Sequence, residues 1–128
     1  MKVTNRINHI QIQRGRAIVL AGPQGCGKST TARQIAAKAG PYKVFTGGES
    51  MNEVLLCEPS TVIVEEPEAM SKSELATLKG LITSERTTVR GPYGEDLRQV
   101  RTPNFIFCCH DANWLSGSDG RRFFVVHL

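Results

Sequence analysis

Apolar residues in this chain gather into short unbroken runs, separated by stretches that are polar or only partly apolar. Arg16–Gly22 (RAIVLAG), Ser60–Glu66 (STVIVEE) and Asn104–Cys109 (NFIFCC) are apolar along most of their length. A strand covered on both faces carries such a run, so these three predict buried strands of a parallel sheet. Tyr42–Thr46 predicts a shorter strand, broken by Gly47-Gly48, and Arg121–Leu128 (RRFFVVHL) predicts a last one. Ile7–Ile12 (INHIQI) partly alternates and predicts a short edge strand. Helix formers fill Lys28–Ala39 and stop at Gly40-Pro41. Ser50–Cys57 predicts a short helix. Ser71-Lys72-Ser73-Glu74 is a capping box, which starts a helix running to Ile82. Thr83–Arg101 is rich in Thr, Val and Arg around the turn Gly91–Gly94 (GPYG), and predicts a β-hairpin.

Strands alternating with helices predict an α/β fold with a mostly parallel central sheet of about five strands. The hairpin is an insertion at about residues 83–101. A length of 128 residues suits one domain, residues 1–128. No apolar run approaches the roughly 20 residues of a membrane span. Met1–Arg16 lacks the apolar stretch of a signal peptide. The expectation is a cytoplasmic protein with no membrane partner. Cys26, Cys57, Cys108 and Cys109 form no C-x-x-C pair, and the adjacent two would face opposite sides of a strand. Free thiols in a reducing compartment are expected.

The net charge of +4 hides an uneven distribution. Residues 1–48 hold eight Lys or Arg and no Asp or Glu, while residues 49–74 hold seven Glu against Lys72 alone. An acid-free first third suits a polyanionic partner. Its centre is the stretch LAGPQGCGKST (Leu20–Thr30). Gly22, Gly27, Lys28 and Ser29 satisfy the phosphate-loop template G-x-x-x-x-G-K-[ST] without a gap. Glycines let the backbone curl so that successive N–H groups point inward at phosphate oxygens, and the following helix adds its positive end. Gly22, Pro23, Gln24, Gly25, Cys26, Gly27, Lys28, Ser29 and Thr30 are therefore the candidate ATP-binding residues. Lys28 is expected on the β- and γ-phosphates and Ser29 on Mg²⁺.

Glu65 and Glu66 end the third strand, where ligands of open α/β sheets bind. Glu65 is expected in the Mg²⁺ shell and Glu66 on the attacking water. Adjacent residues of a regular strand face opposite ways, so Glu66 must lie where the strand ends, and Pro67 supports that. Glu68 is expected on the surface. His110 ends another buried strand on the same edge and is a candidate sensor of the γ-phosphate; Asn113 competes for that role. Arg121 and Arg122 are candidate arginine fingers, since guanidinium suits the spread charge of phosphoryl transfer. On the hairpin, Arg86, Arg90, Arg98 and Arg101 surround Tyr93 at the tip. Arginine beside an aromatic suits single-stranded nucleic acid. Lys79, on the preceding helix, extends the same set. The same loop also serves small kinases and nucleotide-gated binding modules, which these residues leave open.

The order of these pieces resembles the superfamily 3 helicase ATPases of phages and mobile elements, including the primase–helicases and virulence-associated E-like proteins. The similar segments are GPQGCGKST, the strand ending in EE, LKGLITSERTTVRGPYG, TPNFIFCCHD and DGRRFFVV, from Gly22 to about Val126. The resemblance implies a P-loop NTPase of AAA+ type that hydrolyses ATP with Mg²⁺. It implies a homo-oligomer, usually a hexameric ring, with hairpins gripping single-stranded DNA. A primase or other replication protein would be a partner, in a bacterial host or phage-infected cell. Where the family carries an Asn sensor directly after the apolar strand, this chain has His110-Asp111, and Asn113 comes late.

Overall fold

The computed structural model describes residues 10–13, 15–47, 50–91, 96–115 and 120–128. Its strands are β1 (Ala17–Ala21), β2 (Tyr42–Phe45), β3 (Thr61–Glu65), β4 (Arg86–Arg90), β5 (Leu97–Arg101), β6 (Asn104–Cys109) and β7 (Phe123–His127). Its helices are α1 (Lys28–Ala39), α2 (Met51–Leu56) and α3 (Lys72–Ile82). Five strands form one sheet in the order β2-β3-β6-β1-β7, and every neighbouring pair is parallel. β4 and β5 form a separate antiparallel hairpin.

The alternation of side chains explains how the apolar runs become a layered core. Ile18 and Leu20 of β1, Ile63 of β3 and Ile106 and Cys108 of β6 face α1, where they meet Ala32, Ile35 and Ala36. Ala17, Val19, Val62, Val64, Phe105, Phe107 and Cys109 face the other way. There they meet Val54 and Leu55 of α2, Leu78, Leu81 and Ile82 of α3, and Val89 and Val100 of the hairpin. Phe107 centres an aromatic group, with ring centroids 5.3 Å from Trp114 and 5.6 Å from Phe123. That group holds the segment after β6 onto the sheet.

α1 and α3 have the expected bounds. In α3 both bonds of the capping box are present: Glu74 N–H donates to Ser71 Oγ at 3.1 Å, and Ser71 N–H donates to Glu74 Oε1 at 3.2 Å. The expected edge strand at Ile7–Ile12 does not form in its described part, Ile10–Ile12; Ile7–His9 lie outside the described residues. Among the described residues the sheet ends at β2 and β7, and this segment pairs with neither. Ile10 is buried in the α1-side core, and the chain turns at Gly15 (φ 79°), with Gln13 bridging only Arg16. Among the described residues, no helix is long and apolar enough to cross a membrane, and Cys26, Cys57, Cys108 and Cys109 are all free thiols.

Candidate nucleotide-binding site

β1 runs into the glycine loop at the carboxyl edge of the sheet. Gly22 N–H donates to the Cys109 carbonyl at 3.1 Å, which ties the start of the loop to the end of β6. A Cβ at Gly22 would lie 2.8 Å from Cys26 Sγ and 3.1 Å from the Leu128 carbonyl oxygen, so only glycine fits. Gly25 (φ 83°) and Gly27 (φ 89°) adopt the left-handed region. Gly27 caps α1 without a side-chain hydrogen bond, and the first turn of α1 holds no acidic residue. The first bond into the helix runs from Thr31 N–H to Gly27 O, at 2.9 Å. The N–H groups before it have no intrahelical acceptor, and the positive helix end faces out. Lys28 Nζ donates to the Gly22 carbonyl at 2.6 Å, across the mouth of the loop.

The two carboxylates arrive from β3, one strand removed from β1. Glu65 is half-buried and accepts from Ser29 Oγ–H at 3.1 Å. Glu66 leaves the strand: its backbone is left-handed (φ 53°, ψ 54°), and Pro67 opens a 3-10 turn at Pro67–Ala69. Such a backbone costs an L-residue about 1–2 kcal/mol. It breaks the alternation of the strand and lets Glu65 and Glu66 share one cavity wall.

That cavity has a volume of about 570 Å³. Gln24, Gly25, Gly27, Lys28, Ser29 and Thr30 line it from the loop, and Glu65 and Glu66 from β3. Cys108, Cys109 and His110 line it from the end of β6. Gly22, Pro23 and Cys26 shape the loop but are not on the wall. Asn113 is also off the wall; its N–H donates to Asp111 Oδ1 at 2.9 Å, closing a local turn. His110 is thus the only one of the two sensor candidates at the cavity. Glu68 is exposed as expected, yet it stands on the cavity wall, and its Oε2 accepts from His110 N–H at 2.9 Å. That contact joins residues 42 apart, so no local pattern announces it. The lining carries three carboxylates against Lys28 alone.

Cys108 belongs to this wall and is buried. Burial, and next the negative charge of Glu65, push its thiol up to about 12, and burial likewise raises Cys109. A thiol raised in the folded state stabilises the fold fully below its ordinary value of 9.0, and that contribution fades as pH climbs toward 12. At about pH 8 a maleimide is therefore expected to label exposed Cys57 and spare Cys108, because the thiolate is the reactive form. Peptide mapping of the labelled native protein checks this. Equal labelling of Cys57 and Cys108 would contradict the buried placement.

The hairpin register sorts its arginines. Directly opposed residues share a face. The pairs Arg86–Arg101, Thr88–Gln99 and Arg90–Leu97 lie on one face, and all six residues are exposed. The pairs Thr87–Val100 and Val89–Arg98 lie on the other, where Val89 and Val100 join the core. Arg98 thus does not belong with the other arginines, and its Nε donates to Asp96 Oδ2 at 3.3 Å. Leu97, 64% exposed, stands among the outward arginines. Tyr93 lies outside the described residues. Lys79 is half-buried in the last turn of α3.

Arg121 and Arg122 precede β7, at the amino edge of the sheet. β7 runs parallel to β1 with Phe123 opposite Ala17, so Arg122 stands beside Arg16. Five residues of β1 then separate them from the loop, roughly 16 Å of strand. Neither arginine reaches the cavity of its own chain. Arg121 is exposed; Arg122 is half-buried, and its carbonyl accepts from Ala17 N–H.

A family model described as the virulence-associated protein E-like domain matches residues 2–128. The chain belongs to that family. This E-like domain bears out that part of the resemblance read from the motifs. No curated protein sequence matches it. Among solved structures, the E-like domain is similar to the A form apo structure of the NrS-1 C-terminal region. The TM-score is 0.63 at 22% identity, covering 91% of this chain and 30% of that one. It is also similar to NtrX from Brucella abortus in complex with ATP, with a TM-score of 0.64 at 15% identity, covering 96% of this chain and 32% of that one. At these identities the likeness is one of fold. The E-like domain spans about a third of the length of either structure.

Proposed function

We propose that this E-like domain is the ATPase core of a nucleic-acid-dependent motor of superfamily 3 type, working in phage or mobile-element replication. The observation that carries the reading is the meeting of Lys28, Ser29, Glu65 and Glu66 on one cavity wall. A binding loop needs no group for an attacking water; a hydrolase does, and Glu66 is placed to be that group. The NtrX structure of the same fold is described with ATP, which agrees with a nucleotide in this cavity.

The loop N–H groups and the amino end of α1 bind the β- and γ-phosphates. Lys28 exchanges its bond to the Gly22 carbonyl for phosphate oxygens. Ser29 and Glu65 already touch, and their hard oxygens suit Mg²⁺, which is commonly held by one or two side chains together with phosphates. When bound, that ion neutralises charge on the phosphate oxygens. Glu66 orients a water and accepts its proton as the water oxygen attacks the γ-phosphorus, and the bond to the β–γ bridging oxygen breaks. The products are ADP and phosphate. Glu68 holds the end of β6 so that His110 stays at the wall.

One cation against three carboxylates is a poor balance for a polyphosphate. Arg121, turned away from its own cavity, would supply the missing charge to a neighbouring subunit, which supports a homo-oligomeric ring. The outward face of Arg86, Arg90 and Arg101 would bind the nucleic acid backbone, and Leu97 would meet bases. Arg98 is assigned no such contact.

The test is the ATPase rate with and without single-stranded DNA, read beside mass in solution with ATP and Mg²⁺. DNA-stimulated hydrolysis by an oligomer supports the motor. Phosphate transfer to a nucleoside without any effect of DNA would instead make the domain a small kinase. A further expected result concerns Lys28. Its loss removes charge-assisted bonds, so Lys28→Ala should weaken binding of a fluorescent ATP analogue about 10–100-fold. An unchanged dissociation constant would remove Lys28 from the phosphate site.

A further inference from the structure

Besides the core packing of Val89 and Val100, the hairpin is closed at its base and tied to another element at its far end. At its base, Thr102 N–H donates to the Glu85 carbonyl at 3.1 Å, and Thr102 Oγ1 donates to the Ser84 carbonyl. At the far end of β4 the anchor is a side chain of another element. Asn52, on α2, donates from Nδ2 to the Arg90 carbonyl at 2.8 Å and accepts from Arg90 N–H at its Oδ1, also at 2.8 Å.

The geometry follows from the ladder. Gly91 N–H donates to the Asp96 carbonyl at 2.8 Å, so at the next pair, Arg90–Leu97, the backbone groups of Arg90 point away from β5. They face the outer edge of β4. An amide side chain carries one donor and one acceptor at the spacing of a peptide group, and it closes that edge as one residue of a neighbouring strand would. A serine or leucine at this position could not make both bonds.

We propose that Asn52 is the positioning residue of the nucleic-acid face, setting the height at which Arg86, Arg90 and Arg101 stand above the domain. This rests on the reading that the hairpin binds nucleic acid. Three observations support it. The bonded residue, Arg90, is itself part of the outward arginine face. Outside the hairpin, α2 is the element on which β4 chiefly packs. α2 follows β2, whose carboxyl end lies on the same edge of the sheet as the glycine loop. Through Asn52, α2 thus links that edge of the sheet to the far end of β4. The bond pair connects residues 38 apart, with β3 and α3 between them in the chain, and nothing in the local sequence around Asn52 signals it.

The test compares the full chain with Asn52→Ala, with Asn52→Asp, and with Glu53→Ala as a control at an exposed site on the same helix. Asn52→Asp keeps an acceptor for Arg90 N–H but sets a carboxylate against the Arg90 carbonyl. The measurements are hydrogen exchange at the Arg90 amide, affinity for a fluorescent single-stranded DNA oligonucleotide, and basal ATPase without DNA. Losing two bonds should weaken oligonucleotide binding about tenfold in Asn52→Ala. Arg90 amide exchange should quicken in Asn52→Ala, and less in Asn52→Asp. Basal ATPase and its KM for ATP should stay as in the Glu53→Ala control, which separates positioning from a loss of fold. Unchanged Arg90 exchange in Asn52→Ala would overturn the anchor. Quickened exchange with unchanged DNA affinity would overturn the positioning role alone. A wild-type chain with no affinity for the oligonucleotide would overturn the nucleic-acid reading and the positioning role together.

Discussion

Replacing Arg121 by alanine is expected to cut the ATPase rate of the assembled protein by roughly 10³–10⁵, the range for an arginine finger. Arg122→Ala should cost less than about tenfold, within what a lost packing contact explains. The asymmetry comes from exposure: Arg121 projects into solvent, whereas Arg122 is half-buried beside Arg16. Because β1 lies between either arginine and the loop of the same chain, a finger effect would have to cross from one chain to another. Mixing separates the possibilities. Arg121→Ala chains carry an intact loop, and Lys28→Ala chains carry an intact Arg121. Each is inactive alone, but together they form some interfaces with both parts, so the mixture should regain activity. Full activity of Arg121→Ala alone, or a mixture that stays dead, would remove the finger.

The second large effect is at Glu66. Glu66→Gln keeps the size and the left-handed backbone requirement but can no longer accept a proton. Loss of a general base commonly costs about 10²–10⁴ in rate. Hydrolysis should fall by that amount while ATP affinity stays within a few-fold, because the loop and Lys28 are untouched. Single-turnover kinetics with measured nucleotide binding distinguish the two quantities. A variant that keeps its rate would assign the water to another group, and Glu68, on the same wall, would be the one to test next.

The local elements were largely legible in the sequence because each has a local cause. The bounds of α3 follow from a capping box whose two bonds span three residues. α1 starts after a loop of glycines and stops at Gly40-Pro41. The buried strands show as apolar runs. The cavity's loop and its two principal carboxylates were legible too, since a strand end places them on one edge. What stayed hidden depends on contacts between distant residues. The insertion of β6 between β1 and β3 is such a contact: Asn104 Nδ2 reaches the Ser60 carbonyl across 44 residues. The role of Glu68 depends on that same insertion, because it acts only once β6 stands beside β3. Arg98 was grouped with the other arginines because composition does not reveal hairpin register. One residue of slip reverses every face, and only the observed pairs assign Arg98 to the core side. The predicted strand at Ile7–Ile12 does not form in its described part, Ile10–Ile12, for a related reason: partial alternation suggests a strand, but it cannot say that Ile10 is drawn into the α1-side core instead of pairing at a sheet edge.

β7 has a consequence of its own. Its first residues follow Arg121, and beyond its last, Leu128 donates N–H to the Ala21 carbonyl at 2.8 Å and packs its own carbonyl against Gly22. One five-residue strand therefore joins the segment that carries Arg121 to the glycine loop. If Arg121 serves a neighbour as proposed, a pull on it would run along β7 to Leu128 and so to Gly22, and adjacent sites would be expected to fill and empty in relation to one another.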